Sequence, residues 1–319
     1  MIENENKEYI PPAPLKTPVL FLVFKRLDTT KQVLEQIRKA KPTRLYIAAD
    51  GARNNVEGEV NKVKAVREYV LNSINWGCEV KTLFREKNLG CGRAVSEAIT
   101  WFFEQEEKGI ILEDDILPSL SFFWFCEELL EKYKNDTRVY QIGGCNFQDG
   151  IIRGDGDYYF SAINHIWGWA SWANRWKHYD FELNNMNDDK FIENYWKGSA
   201  LKYWKKIFWI MKNLGIDTWD YQWTFTMWYH QGFAILPNVN LTSNIGFGQD
   251  ATHAVHEDKK VSKLTVQDLM LNQHPSKIER DIEADMYTYY RNFHVPTWRS
   301  FISKVVPKKI KNFIKENLK

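Results

Sequence analysis

Short apolar runs that each end in polar residues constrain this 319-residue chain more than any other feature. Pro18-Val-Leu-Phe-Leu-Val-Phe24, Arg44-Leu-Tyr-Ile-Ala-Ala49, Cys78 to Phe84 and Gly109-Ile-Ile-Leu112 all have strand length. Continuous rather than alternating hydrophobicity, clearest in the first, marks a strand buried on both faces of a parallel sheet. Helical stretches separate the runs. One reaches about Ala40, with Asp28 and Thr29 supplying cap chemistry, and another spans about Glu57 to Leu71. A third follows the turn Asn88-Leu-Gly-Cys-Gly-Arg93, and a fourth runs from Ser119 to about Tyr133, before a further strand at Val139 to Ile142. Such alternation predicts a doubly wound α/β sheet with ligands at the carboxyl ends of its strands.

Beyond Gly150 the rhythm changes. Ten of the 14 tryptophans lie between Trp167 and Trp228, and helices are expected around 188–213 and 217–230. The chain therefore divides into a polar arm (1–16), a regular half (17–150), an aromatic half of the same unit (151–295) and a basic end (296–319). Lys+Arg 43 against Asp+Glu 41 leaves a net charge of +2, which argues against a nucleic-acid partner. Cys78, Cys91, Cys126 and Cys145 form no CxxC pair, so neither a zinc site nor a disulfide framework is expected, and a reducing compartment fits. The opening MIENENKEYIPPAP is too polar for a leader, and the run Val19 to Phe24 is too short to cross a bilayer. A cytoplasmic protein is the expectation.

Glu113-Asp114-Asp115 follows the strand Ile110-Ile-Leu112 directly. Three adjacent carboxylates repel one another, so a cation is needed to hold them at a strand end. Hard oxygen ligands suit Mg²⁺ or Mn²⁺, which keep water and take further oxygens from phosphates. Other polar residues mark the same edge: Arg26 after the first strand, Asp50 after the second, Asn88 and Gly90 after the third. Each alone reads equally as a cap or a surface charge; together they describe a site. Gly90 and Gly92 do not complete GxGxxG, because Val95 fills the third slot, and no P-loop is present.

The ordered set Arg26, Asp50, Asn88-Leu-Gly90 and Glu113-Asp114-Asp115 resembles nucleotide-sugar transferases of the GT-A fold. It is most similar to the N-acetylglucosaminyltransferase I family and its bacterial relatives. His165-Ile-Trp-Gly168-Trp169, Trp219-Asp220-Tyr-Gln-Trp223 and Asn244-Ile-Gly-Phe247-Gly248-Gln-Asp-Ala-Thr-His253 extend the resemblance, which covers roughly residues 17 to 256. It implies a Rossmann-like, mostly parallel sheet with a nucleotide-sugar half followed by an acceptor half. It implies Asp115 as direct metal ligand, Glu113 and Asp114 facing donor sugar and ribose, and Arg26 and Asp50 around the nucleotide. Asp220 resembles the base of an inverting transfer, and Gly246 to His253 a loop that orders over the donor, with Gly248 and His253 in contact. Where the family has two adjacent acids after the tryptophan, Tyr221 follows Asp220. Those relatives are anchored Golgi proteins, so acceptor and compartment are not carried over.

The chemistry is coherent with that set. A divalent cation on Asp115 stabilises a departing diphosphate, and a carboxylate such as Asp220, desolvated by its tryptophan neighbours, activates an acceptor hydroxyl. The plainer role for Asp220 is capping the helix that follows, for which Asp217 competes. Trp167, Trp169 and Trp219 are candidates to stack on sugar rings, whereas Trp172, Trp176, Trp196, Trp204, Trp209 and Trp228 read as packing. His253, with His256, offers a second metal ligand or a phosphate contact.

The segment 299–319 carries one Arg and six Lys against Glu316, with apolar residues at helical spacing. It fits an anionic membrane surface or packs on the body. The expected function is transfer from a UDP-sugar to a glycan or lipid-linked glycan at the inner face of the cell membrane. The alternatives are a nucleotidyltransferase, for which Phe24-Lys25-Arg26-Leu27 lacks a phosphate-loop glycine, and a non-catalytic glycan binder, which needs no acidic triplet.

Overall fold

In the computed structural model, residues 9–187, 189–247 and 264–294 are described. β1 (Val19–Val23), α1 (Leu27–Ala40), β2 (Arg44–Ala49), α2 (Glu59–Ser73), β3 (Glu79–Phe84), α3 (Cys91–Phe103) and β4 (Lys108–Glu113) alternate as expected. Then come β5 (Ile116–Pro118), α4 (Leu120–Lys132), β6 (Val139–Gly143), β7 (Tyr158–Ser161), β8 (Trp169–Trp172) and the short α5 (Ala173–Trp176). α6 (Gly198–Leu214), α7 (Asp220–Tyr229), β9 (Phe233–Pro237), β10 (Thr242–Asn244) and α8 (Ile282–Thr288) complete the order, and α8 runs into a π turn at Tyr289–Phe293.

Eight strands form one sheet in the order β3-β2-β1-β4-β8-β6-β9-β7. β3, β2, β1 and β4 are mutually parallel; β8 inserts antiparallel between β4 and β6, β9 is parallel to β6, and β7 is an antiparallel edge. The aromatic half thus continues the sheet begun by the regular half. The fold is α/β, a Rossmann-like, mostly parallel sheet flanked by helices. All five residues of β1 are buried, which explains its unbroken hydrophobicity. Phe21 and Val23 join the core against α1, α2 and α4, while Leu20 and Leu22 join the core against α3, α6 and α7. A strand's alternation thereby becomes two cores, one on each face. Each such fully buried large side chain stabilises by about 1.5–3 kcal/mol.

Two local expectations need correction. α1 starts at Leu27 with Arg26 at the N-cap position and no side-chain cap, so neither Asp28 nor Thr29 serves there. Instead the Thr30 hydroxyl donates to the Arg26 carbonyl at 2.6 Å, inside the first turn. The single helix expected over 188–213 divides into a 3₁₀ turn at Lys190–Asn194, which sinks Ile192 into the core, and α6. Gly248, His253, His256, the segment 299–319 and the first eight residues of the arm lie outside the described residues. No described helix is long and apolar enough to cross a membrane.

Candidate active site

β1, β2, β3 and β4 all end at one rim, and the polar residues after each strand are held there by specific bonds. The Asp50 carboxylate accepts from Gly51 N at 2.9 Å, Asn88 Nδ2 at 2.8 Å, Leu89 N at 3.0 Å and Gly90 N at 3.2 Å. Burial raises its pKa, while the N–H groups of Leu89, Gly51 and Gly90 pull it down. Asp50 therefore ties the turn 88–90 to the end of β2, its oxygens already occupied; it is a latch rather than a free acceptor for a base. Beyond that turn, Asp217 accepts from Cys91 N at 3.0 Å and Gly92 N at 2.7 Å, satisfying the first N–H groups of α3. Asp217 is thus a cap, but of a helix some 125 residues earlier in the chain and not of α7. Gly90 makes this possible: its φ is +84°, and a Cβ there would meet Asp217 Oδ2 at 2.7 Å.

The acidic triplet has an internal cation. Arg26 Nη2 lies 2.6 Å from Asp114 Oδ1 and 3.0 Å from Asp115 Oδ2. Burial works against the arginine's charge, but Asp114 and Asp115 more than offset it and its pKa rises. Asp114, 3% exposed, also accepts from Phe24 N at 3.1 Å. It latches the ends of β1 and β4 together while lining the cleft. Burial, then Asp115 and Asp114, push the Glu113 carboxyl above its usual range. Arg26 thus supplies part of the positive charge that three adjacent carboxylates need.

Asp115 stays at the surface of the cleft, with Oδ2 on Arg26 and no hydrogen bond to Oδ1 among the described residues. Its backbone carbonyl accepts from Ile245 N at 2.8 Å, because β10 pairs antiparallel with β5 and brings residues 245–247 back over the triplet. Gly246 packs so closely on Asp115 and Arg26 that a Cβ would collide with both. Among the described residues no group of three or more His, Cys, Asp or Glu forms a metal cage.

Asp220 is the first residue of α7, whose N-cap position is Trp219. The Thr218 hydroxyl hydrogen-bonds Asp220 Oδ1. The Tyr179 hydroxyl donates to the Trp219 carbonyl at 3.0 Å and holds the start of the helix. Farther along α7, Trp223 Nε1 donates to Gln141 Oε1 at 2.8 Å, and Gln141 Nε2 donates to the His165 carbonyl at 2.7 Å. A buried glutamine of β6 thereby fixes α7 to the segment 164–167.

Two adjoining cavities result. The larger, about 680 Å³, is lined by Arg26, Asp50, Asn88, Gly90, Glu113, Asp114, Asp115, Trp167, Trp219 and Asp220. The structure therefore collects nearly every candidate from the described residues into one cleft. Sequence reasoning missed Arg53, Arg85 and Thr218, which line it too and carry no motif of their own. The smaller, about 300 Å³, shares Ile166, Trp167, Asp220 and Tyr221 with the first. Trp169 lines neither: it is 1% exposed, in β8, its ring 5.8 Å from that of Trp219 and 24° from parallel. Trp219, 2% exposed, gives the cleft a wall but no open ring face. Only Trp167 of the three is partly exposed. Trp172, Trp176, Trp196, Trp204 and Trp228 are buried packing, and Trp209 is a surface residue.

No protein-family model matches the chain, and no curated protein does either. Solved structures with a partial likeness include a mannosyltransferase of Pyrobaculum calidifontis in complex with GDP-Man and Mn²⁺, 13% identical, covering 52% of this chain and 48% of that one, TM-score 0.34. A UDP-glucose pyrophosphorylase complexed with UDP-glucose is 13% identical over 70% of this chain and 90% of its own, TM-score 0.34. The glycosyltransferase GlyE of Streptococcus pneumoniae is 12% identical over 59% and 43%, TM-score 0.31. This chain spans less than half the length of the mannosyltransferase and of GlyE.

Proposed function

We propose that this chain is an inverting glycosyltransferase of the GT-A type, resembling the N-acetylglucosaminyltransferase I family, that takes a sugar from a UDP-sugar. One observation carries the reading: Asp220 stands in the wall shared by two cavities, and the larger one also holds the acidic triplet. A donor in the larger cavity and an acceptor in the smaller would meet at that carboxylate.

The donor set fits Mn²⁺ or Mg²⁺. Asp115 offers a free hard oxygen, and such ions draw the rest of their shell from water and phosphate rather than from a protein cage. When bound, the ion supplies charge neutralisation at the leaving diphosphate. The remaining chemistry belongs to the chain. Asp220 Oδ2 accepts the proton of the acceptor hydroxyl as its oxygen bonds to the anomeric carbon; the bond to the diphosphate breaks and its electron pair leaves with the phosphate. Thr218 holds the other Asp220 oxygen. Arg26, Arg53 and Arg85 line the cleft proposed for the nucleotide, each ion-paired within the protein: Arg26 with Asp114 and Asp115, Arg53 with Glu59 and Arg85 with Glu97.

Nucleotidyl transfer fits less well, because the guanidinium after β1, where a phosphate loop would lie, is already held by Asp114 and Asp115. The acceptor we propose is a glycan or lipid-linked glycan at the inner membrane face. The test is release of UDP from a panel of UDP-sugars with and without Mn²⁺. Metal-dependent release from one donor is expected, and Asp115→Ala should abolish donor binding. Release that ignores the metal and survives Asp115→Ala overturns the reading.

A further inference from the structure

The smaller cavity differs in character from the cleft it adjoins. Two charged residues line it, Asp220 and Arg291. Arg291 is already forked onto Asp149, with Nε 2.8 Å from Oδ2 and Nη2 2.7 Å from Oδ1, and its Nη1 donates to Asn292 Oδ1 at 2.9 Å. Its charge is thereby compensated within the protein. His165 lines the same cavity and is 8% exposed, and its Nε2 has no hydrogen-bond partner among the described residues. Burial, with Arg291 nearby, lowers its pKa to about 3, so the imidazole stays neutral at ordinary pH. The other polar lining among the described residues is uncharged: Asn164, Thr224, Asn292 and the Tyr221 hydroxyl. The aromatic lining is Phe147, Trp167, Trp204, Tyr221 and Phe293, with the Phe147 and Trp167 rings 5.5 Å apart and 67° from parallel.

A buried imidazole nitrogen without a partner is destabilising unless something reaches it. Amides, a neutral imidazole and aromatic faces suit hydroxyl groups on a ring with apolar faces. A volume of about 300 Å³ lies at the small end of ligand cavities, the size for one ring rather than a long chain. A carboxylate or phosphate brought in would stand beside Asp220, and among the described residues no uncompensated cation lines the cavity to meet it.

We infer that this cavity is the acceptor subsite and that it selects an uncharged sugar ring, held by His165, Asn164 and Asn292 with one hydroxyl at Asp220, against the same ring carrying an acid group. This rests on the transferase reading of Asp220. The closing experiment separates the two. Saturation-transfer NMR on the full chain uses methyl glycosides of glucose, galactose, mannose and N-acetylglucosamine, with methyl glucuronide as the charged counterpart. Binding of UDP with Mn²⁺ is measured in parallel.

At least one neutral glycoside should bind tenfold or more tightly than the glucuronide. His165→Gln, and Asn292→Ala at the partly exposed wall, should each weaken it about tenfold with UDP affinity unchanged. Equal binding of glucuronide, no saturation transfer to any neutral glycoside while UDP binds, or neutral binding indifferent to both variants would overturn the inference. Neutral-glycoside selectivity that survives in a protein with no affinity for UDP would support the cavity while removing the transferase reading.

Discussion

The rim where β1–β4 end and the aromatic block behind α7 solve one problem, holding a carboxylate in place, by different physics. At the rim, charge is bound by charge: Arg26 spans Asp114 and Asp115, and Glu59, 1% exposed, is gripped by Arg53 and by Lys25. In the block, apolar packing sets position. Trp228 is fully buried, its ring 4.9 Å from Trp204 and 5.4 Å from Tyr195, and its Nε1 donates to the Ala162 carbonyl at 2.6 Å. The contrast teaches that the rim is built to respond to a charged ligand, while the block is built to stay still so that Asp220 does not move.

The sharpest way to break the comparison is at the point where the two regions meet. Asp220→Asn is expected to lower kcat by about 10²–10⁴-fold, the usual worth of a general base, with donor affinity kept. Unchanged turnover would remove Asp220 from the chemistry.

Within the block, Trp228→Ala should cost about 3–5 kcal/mol of unfolding free energy in urea, with little dependence on salt. A loss under about 1 kcal/mol would show that packing does not set this region.

At the rim, Glu59→Gln should cost about 1–3 kcal/mol. Arg53 holds the Glu59 carboxyl down to about 2 from its ordinary 4.5, helped by Lys25 and opposed by burial. The folded state therefore binds that proton more weakly than the unfolded chain. The stabilisation is complete above about pH 4.5 and lost as pH falls through about 2. Acid titration of unfolding should show the wild type losing an increment over that window that the variant lacks, and parallel curves would refute the clamp.

The smallest expected effect is at α3. Asp217→Ala should cost about 0.5–2 kcal/mol by removing the acceptor for Cys91 N and Gly92 N. It should also weaken nucleotide binding, because the turn 88–90 precedes that helix directly. If calorimetry shows stability and UDP affinity both intact, Asp217 is not what holds this edge.

Much of the first half was legible in the chain. β2 runs over the expected Arg44 to Ala49, and β1, β3 and β4 fall within a residue or so of their expected runs; in β1, β2 and β4 burial on both faces writes itself as continuous hydrophobicity, whereas β3 is a half-exposed edge strand. The clustering of Arg26, Asp50, Asn88 and the acidic triplet was legible for the same reason: parallel strands deliver their ends to one rim. Roles were less legible than positions. Asp50 and Asp114, expected to face the nucleotide, line the cleft and also latch its edges, since what a carboxylate accepts depends on the segments the fold brings to it. The aromatic half was least legible: ten tryptophans in 62 residues say that packing dominates, not which ring stays open.

By itself, then, the sequence determined the strand–helix alternation, the parallel order it imposes and the placing of acids at strand ends, because these follow from short-range periodicity. Only the tertiary structure decided that Arg26 would pair with Asp114 and Asp115, that Asp217 would cap a helix 125 residues away, that Trp169 would be core and Trp167 open, and that Asp220 would stand between two cavities. Those outcomes are contacts between distant segments, and no local pattern encodes which distant partner a side chain will meet.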